Sequence, residues 1–157
     1  MKKILFAGAE VMPFAASGGL GDVLGSLPAA LKAAGNDVDV RVAMPLYSII
    51  PEKYRDMTVL DAEADIDAIA SKVDFVFCAV NMDKAKIRAL EETYAKKEIP
   101  VVSNNSAHRF TPDVPMVIPE INPEHVEIIQ AQKARLGTKR GFIAVKSNCS
   151  LQSYVPL

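Results

Sequence analysis

VDFVFCAV (73–80) is an apolar run of strand length. A run of this kind is typical of a strand buried on both faces of a parallel sheet. Residues 83–97 follow as a charged helix, and its inner face is predicted to consist of Ile87, Leu90 and Tyr94. Residues 100–103 then supply the next strand. Strands and helices that alternate in this rhythm predict an α/β fold with a doubly wound parallel sheet.

The first 44 residues predict another strand–helix–strand unit of the same type. Residues 3–9 are an apolar run, and residues 37–44 alternate as a second strand. Residues 22–34 between them have a helical period, with one apolar face made of Val23, Leu27, Leu31 and Ala34. Pro28 falls inside this pattern, so the helix either begins near Pro28 or bends there.

The rest of the chain keeps the same alternation. Residues 65–72 are predicted to form one or two helical turns before the apolar run. Residues 114–119 are a short strand, and residues 124–136 are a helix that Gly137 ends. Residues 141–145 are a further short apolar strand.

Size and composition restrict the class of protein. The chain has 157 residues, of which 50% are hydrophobic and 24% are charged, which suits one domain with a real core. A formal net charge of -1 argues against nucleic acid or an anionic membrane as the main partner. No run approaches the ~20 apolar residues of a membrane span. The two cysteines do not suggest a disulfide framework, so a reducing, cytoplasmic compartment is expected.

Cys149 occupies a position that suits a nucleophile. It follows the strand 141–145 at the polar start of a possible helix. Unpaired N–H groups and the helix dipole at such a junction favour the thiolate form of cysteine. The alternative is that Cys149 is a small buried hydrophobe, which is the interpretation we favour for Cys78 within the apolar run.

A polar cluster, residues 104–109, follows the strand 100–103. Ligands of parallel sheets gather at the carboxyl ends of strands, so the cluster lies where a small-molecule site is expected. Its amides suit a carboxamide, and Arg109 suits a phosphate or carboxylate; the alternative is a solvated loop. Neither His108 nor His125 is accompanied in the sequence by the further ligand residues that a metal site needs, so we expect no metal site. We place His125 at the surface.

Three separated motifs carry a resemblance to a known family. SNNSAHR (103–109), DVPMVIPEINPEH (113–125) and GFIAVKSNCS (141–150) resemble the nucleotide-binding half of aspartate-semialdehyde dehydrogenase, from about residue 61 to residue 157. The resemblance implies a Rossmann-like, three-layer αβα fold that is incomplete here, without the carboxyl-terminal half that supplies the base histidine and forms oligomers. The roles that it implies are catalysis for Cys149, substrate binding for Arg109 and Asn148, and NADP binding for Ala79, Asn105 and Ser106.

The chain departs from this family at one position beside the nucleophile. Ser147 stands where the family usually has a proline before Asn148. Losing a fixed backbone angle is expected to loosen the turn at Cys149 modestly.

A glycine-rich loop, AASGGLGD (15–22), precedes the first predicted helix. Such a loop suits a phosphate or a sugar phosphate; the alternative is that it serves only as a structural turn. Its spacing is not the Gly-x-Gly-x-x-Gly of dinucleotide sites, so binding of NADP is expected to be weak or absent.

The first 57 residues resemble bacterial glycogen synthase and starch synthase, which use ADP-glucose. The resemblance assigns Gly18, Gly19 and Asp22 to a nucleotide-sugar loop. Ala16-Ser17 replaces the Lys-Thr that usually precedes the two glycines, so a charge expected to pair with the diphosphate is missing.

These two resemblances predict a chimera of segments 1–60 and 61–157, joined near residues 57–61. The two segments either form one continuous sheet or pack loosely. The leading functional hypothesis is a truncated dehydrogenase-like protein that is inactive alone and takes a small-molecule substrate. The alternatives are a glycogen synthase fragment and a fusion product without catalytic activity.

The cysteine at the turn is predicted to react faster than the cysteine in the strand. In the folded chain, iodoacetamide should alkylate Cys149 clearly faster than Cys78, as measured by mass spectrometry of peptides. A Cys149→Ser variant should lose the fast-labelling thiol and keep the slow one. Equal labelling of the two thiols would contradict the assignment of Cys149 as a nucleophile.

Overall fold

Six strands form the sheet in the computed structural model, which describes residues 1–55 and 65–148. Their order across the sheet is β2-β1-β3-β4-β6-β5, and every pairing between them is parallel. The strands are β1 (Lys2–Gly8), β2 (Val38–Ala43), β3 (Phe75–Ala79), β4 (Val101–Ser103), β5 (Met116–Val117) and β6 (Ile143–Lys146). The prediction of an α/β fold with a doubly wound, Rossmann-like parallel sheet is confirmed.

The helices lie on both faces of this sheet, which gives three layers. They are α1 (Gly19–Ala33), α2 (Ile66–Ala70), α3 (Lys84–Lys96) and α4 (Ile129–Leu136), with 3₁₀ helices at Glu52–Tyr54 and Pro123–Ile128. Within the described ranges no helix is both long and apolar enough to cross a membrane.

The sheet is continuous across the predicted junction. β1 pairs with β2 on one side and with β3 on the other, in the register Ile4↔Phe75 to Gly8↔Ala79. Below this ladder the amide of Asp74 donates to the Lys3 carbonyl (2.7 Å), and the amide of Lys3 donates to the Asp74 carboxylate (2.8 Å). The chain therefore has the continuous sheet rather than two loosely packed units, while the predicted junction near residues 57–61 lies outside the described residues.

Alternate side chains of β1 face two different parts of the core. Leu5 packs in the larger cluster with Val76, Cys78 and Tyr94, to which α2, α3 and α4 also contribute. Phe6 points to the other face and packs with the side chains of α1. This alternation is the period of two that places successive strand residues on opposite faces.

The apolar face of α1 differs from the prediction. Leu24 is fully buried, whereas Val23, predicted to face inward, is 47% exposed. A Cβ added at Gly8 would lie 2.1 Å from Leu24 Cδ1, so the missing side chain in β1 makes the space that Leu24 fills. Ala34, also predicted inward, is exposed, and Leu20, Leu27 and Leu31 complete the buried stripe.

The ends of two helices also differ from the prediction. α1 begins at Gly19 and passes through Pro28, so the helix does not start near Pro28. The predicted helix 124–136 begins as a 3₁₀ helix and becomes α4 only at Ile129; Gly137 ends it in a left-handed conformation (φ 70°) as expected. His125 is partly buried rather than at the surface, because its Nδ1 donates to the Met116 carbonyl (3.1 Å).

A carboxylate joins the end of α3 to the start of β6. Glu98, in a left-handed conformation (φ 63°), accepts hydrogen bonds from the amides of Lys139 (3.0 Å), Arg140 (2.5 Å) and Gly141 (2.9 Å). These amides lower the pKa of Glu98 from 4.5 to about 2. A Cβ at Gly141 would lie 1.8 Å from the Ala95 carbonyl oxygen, so only glycine permits this close approach.

The Glu98 contact predicts a pH dependence of stability. Because the pKa of Glu98 is lower in the folded chain, its contribution is present above pH 4.5 and is lost as the pH falls towards about 2. Glu98→Gln should lower the melting temperature at neutral pH and flatten its decline over that acid range, as measured by circular dichroism. Glu120→Gln, at an exposed position, should behave like the wild type, whereas an unchanged acid profile in Glu98→Gln would contradict this assignment.

Candidate functional site

A cleft opens at the carboxyl ends of β1 and β3. From β1 the chain crosses through α1 to β2, on one side, and from β3 it crosses through α3 to β4, on the other side. Such a switch point is where ligands bind in open parallel sheets. The cleft has a volume of about 530 Å³, which is within the range of small-molecule sites.

The residues that line this cleft are mostly small, apolar or amide-bearing. Polar groups come from Asn81 after β3 and from Asn104 and Asn105 after β4. Tyr47, from the segment after β2, contributes to one wall. The one charged side chain among the lining residues that the structure describes is Glu10, so the cleft carries negative charge and no cation.

Glu10 binds the glycine-rich loop at the start of α1. Its carboxylate accepts hydrogen bonds from the Ser17 amide (2.6 Å), the Ser17 hydroxyl (2.7 Å) and the Gly21 amide (3.3 Å). These bonds, led by that of the Ser17 amide, lower the pKa of Glu10. The chain's own carboxylate therefore occupies the amides that an anionic ligand would use at a helix N-terminus.

This arrangement does not fit the pyrophosphate of a dinucleotide. A pyrophosphate would meet the ionised Glu10 carboxylate, and the lining within residues 1–55 and 65–148 offers no Lys or Arg to offset the repulsion. The amides of Asn81, Asn104 and Asn105 remain suited to an uncharged polar group, such as a carboxamide or the edge of a base.

The turn after β4 is fixed by hydrogen bonds to its neighbours. The Asn104 amide donates to the Cys78 carbonyl (2.8 Å), which extends the β3–β4 ladder by one bond. The Asn105 amide donates to the Ser103 hydroxyl (3.0 Å). Ser103 in turn donates to the carboxyl group of Glu91 on α3 (2.5 Å), and Glu91 is only 1% exposed.

Side-chain contacts of His108 and Arg109 also fix the end of the same loop. Arg109 is partly buried, and its Nη2 donates to the Asn104 carbonyl (3.5 Å), while its buried Nε has no hydrogen-bond partner among the described residues. His108 is 2% exposed, and its Nδ1 is 3.0 Å from the Thr111 hydroxyl. Burial lowers the pKa of His108, which favours its neutral form.

The structure brings together some of the predicted site residues. Ala79 and Asn105, predicted to bind the cofactor, both line the cleft. The predicted residues that do not line it are Ser106, Arg109, Asn148, Gly18, Gly19 and Asp22. Cys149 lies outside the described residues, and Asn148 is exposed after β6.

Cys78 is buried in β3, as predicted. It is 2% exposed, and its burial, followed by the nearby Glu91, raises the pKa of its thiol. A thiol held in this way is a weak nucleophile.

Glu10, Asn81 and Glu91 were missed by the sequence analysis. Glu10 and Asn81 each lie shortly after a predicted strand, so their position at the carboxyl edge of the sheet is a signal that was available. Within the described ranges no group of three or more His, Cys, Asp or Glu residues could hold a metal ion.

Two protein families match overlapping parts of the chain. The family model of the starch synthase catalytic domain matches residues 3–117. Glycogen synthase from Lactobacillus acidophilus is 60% identical over 53 residues, which are 34% of this chain and 11% of that protein.

Aspartate-semialdehyde dehydrogenase from Methanothermobacter thermautotrophicus is 42% identical over 127 residues, which are 81% of this chain. This match extends into the first 57 residues, because it is longer than the rest of the chain. The chain spans about a third of that relative, 35% of its length.

A solved structure supports the fold. Aspartate-semialdehyde dehydrogenase from Candida albicans, determined with NADP, superposes with a TM-score of 0.60 at 24% identity, over 96% of this chain and 43% of that one. Through residues 3–117 the chain belongs to the starch synthase catalytic domain family, and it also resembles aspartate-semialdehyde dehydrogenase in both sequence and fold.

Proposed function

We propose that the chain carries the nucleotide-facing part of an aspartate-semialdehyde dehydrogenase site. The observation that supports this most is the position of Asn104 and Asn105, which come from the motif SNNSAHR (103–109) and line the cleft at the switch point. The 42% identity to the Methanothermobacter thermautotrophicus dehydrogenase supports the same proposal.

The proposed chemistry is that of acyl transfer to a thiol. The reaction implied by the family is the reductive dephosphorylation of L-4-aspartyl phosphate to aspartate semialdehyde. The Cys149 thiolate would attack the acyl carbon, form a thioester and displace phosphate. Arg109 would hold the acyl phosphate group through its guanidinium, with Asn148 beside the substrate.

The residues of the cleft fit the cofactor less well than they fit the rest of the proposed site. The dehydrogenase from Candida albicans was determined with NADP. In this chain Glu10 accepts hydrogen bonds from the Ser17 and Gly21 amides at the start of α1, and the cleft has no cation among its described lining residues. We therefore propose that NADP binds weakly or undetectably, and we assign no hydride step to this chain.

The domain organisation is part of the same proposal. Segment 1–60 would derive from a glycogen synthase and segment 61–157 from a dehydrogenase, with the first supplying β1 and β2 of one sheet. The 60% identity of 53 residues to glycogen synthase supports the origin of the first segment. A cytoplasmic, reducing location also belongs to this proposal, as expected from a sequence with two cysteines and no disulfide framework.

A second candidate function is glucosyl transfer from ADP-glucose. The family model that matches residues 3–117 supports it. Against it, Ala16-Ser17 stands where the family usually has Lys-Thr, so the lysine cation is missing, and the Ser17 amide and hydroxyl donate to Glu10. A folded product without catalytic activity is the third candidate.

Removing the charge of Glu10 should strengthen the binding of NADP. Glu10→Gln keeps the shape of the side chain but removes the repulsion of the pyrophosphate, so the dissociation constant measured by calorimetry should fall about tenfold. The matched control is Asp22→Asn, which neutralises a carboxylate in the first turn of α1 that does not line the cleft. Equal or weaker binding by Glu10→Gln would contradict the proposed obstruction.

Turnover separates glucosyl transfer from the other two candidates and tests the expected inactivity of the dehydrogenase site. We expect no aspartate-semialdehyde dehydrogenase activity, because the pyrophosphate is not accommodated and neither His108 nor His125 lines the cleft. The assay combines NADP, phosphate and aspartate semialdehyde, and a parallel assay combines ADP-glucose and glycogen. Dehydrogenase turnover that Cys149→Ala abolishes would show that the chain is a working enzyme, and glucosyl transfer would favour the second candidate.

A further inference from the structure

Two side chains of α3 contact both ends of the loop that lines the cleft. Arg88 and Glu91 are three residues apart, so they lie on the same side of the helix. We call this pair the α3 clamp. Its contacts are with residues 103–108, which contain the turn at Asn104 and Asn105.

One oxygen of Glu91 organises the start of the loop. Glu91 Oε1 accepts from the Ser103 hydroxyl (2.5 Å) and from the side-chain amide of Asn105 (3.4 Å). The Ser103 hydroxyl also accepts from the Asn105 backbone amide (3.0 Å). Asn105 is thus connected to Glu91 through its side chain directly and through its backbone by way of Ser103.

The other contacts of the α3 clamp reach the end of the loop. Arg88 Nε donates to the Ala107 carbonyl (2.7 Å). Glu91 Oε2 lies 3.9 Å from His108 Nε2, and neither atom has a hydrogen-bond partner among the described residues. The carboxyl group of Glu91 therefore contacts both ends of the loop and not one end alone.

Burying Glu91 has a free-energy cost that packing alone does not explain. A carboxyl group removed from water is stabilised only by the hydrogen bonds that it makes, and an apolar side chain would pack beside Ile87 and Tyr94 without that cost. The hydrogen bonds of Glu91 go to Ser103 and Asn105, and its other oxygen faces His108, so apart from the nearby Cys78 thiol in β3 its polar neighbours among the described residues belong to residues 103–108. This points to a role in the arrangement of the cleft.

We propose that Glu91 is a positioning residue, which holds Asn105 in the orientation in which it lines the cleft. The proposal rests on the proposed function for its consequence, since a displaced Asn105 matters to a ligand only if the cleft binds one. Arg88 restrains the loop beyond Asn105, so the two residues of the α3 clamp act on the same segment.

The test compares the full-length wild type with Glu91→Met and Glu91→Gln in ¹⁵N-labelled form. The matched control is Ile87→Val, which removes a buried methylene from the same helix without touching the loop and lowers stability on its own. The first measurement is the hydrogen exchange of the Asn105 side-chain and backbone amides by NMR, in the absence of any ligand. The second is a titration with NADP followed through the amides of Ala79, Asn81 and Asn104.

Glu91→Met should lose the protection of the Asn105 amides, and Glu91→Gln should retain it because an amide oxygen still accepts from Ser103. Ile87→Val should keep the wild-type protection. If Glu91→Met does not fold, Ser103→Ala removes the same connection and should also expose the Asn105 backbone amide. Unchanged Asn105 protection in both variants would overturn the proposal.

The NADP titration distinguishes this proposal from the proposed function. NADP should bind the wild type weakly, and Glu91→Met should weaken it about tenfold further, since one hydrogen-bonding group is displaced. If the wild type shows no NADP-induced shifts while Asn105 protection still depends on Glu91, the positioning role stands and binding of NADP is ruled out. Equal binding by the wild type and Glu91→Met would contradict the role of Glu91 in the cleft.

Discussion

The parallel pairing of β1 with β3 is the contact on which the rest of the structure depends. It joins a strand that precedes residues 56–64 to the first strand that follows them, from Ile4↔Phe75 to Gly8↔Ala79. The crossover through α1 leads to β2 on one side of this strand pair, and the crossover through α3 leads to β4 on the other side. The same pairing therefore creates the switch point where the cleft opens. Leu5 and Phe6 then divide the core between the two faces of the sheet.

The two loops that meet at the cleft differ in the charge that they bring to it. The loop after β1 brings Glu10 and its acceptor oxygens, while the loop after β4 brings amides. In a phosphate site the amides of a helix N-terminus meet a ligand, but here they meet a carboxylate of the chain itself. The loop after β1 therefore disfavours a bound anion, whereas the loop after β4 favours a polar ligand.

The sequence predicted the strand–helix alternation and most of the interior of α3, because runs such as VDFVFCAV (73–80) and the period of Ile87, Leu90 and Tyr94 are local signals. It missed Leu24, since the space that Leu24 fills is made by Gly8 in another element. It also missed Glu10 and Glu91, because a charged residue in a loop or on a charged helix is normally solvated. Only the tertiary structure shows that Ser17 and Ser103 bind these two carboxyl groups.

Native-state hydrogen exchange tests directly whether β1 and β2 form one cooperative sheet with the strands that follow residue 65. The amide of Ala9 donates to Ala79 and that of Asp74 donates to Lys3, so both report on the β1–β3 pairing. We predict that, as denaturant is added, these amides come to exchange through the same global opening as the Val101 amide, which joins β4 to the β6 side of the sheet. Exchange of Ala9 and Asp74 through a separate, lower-energy opening, with Val101 still protected, would contradict it.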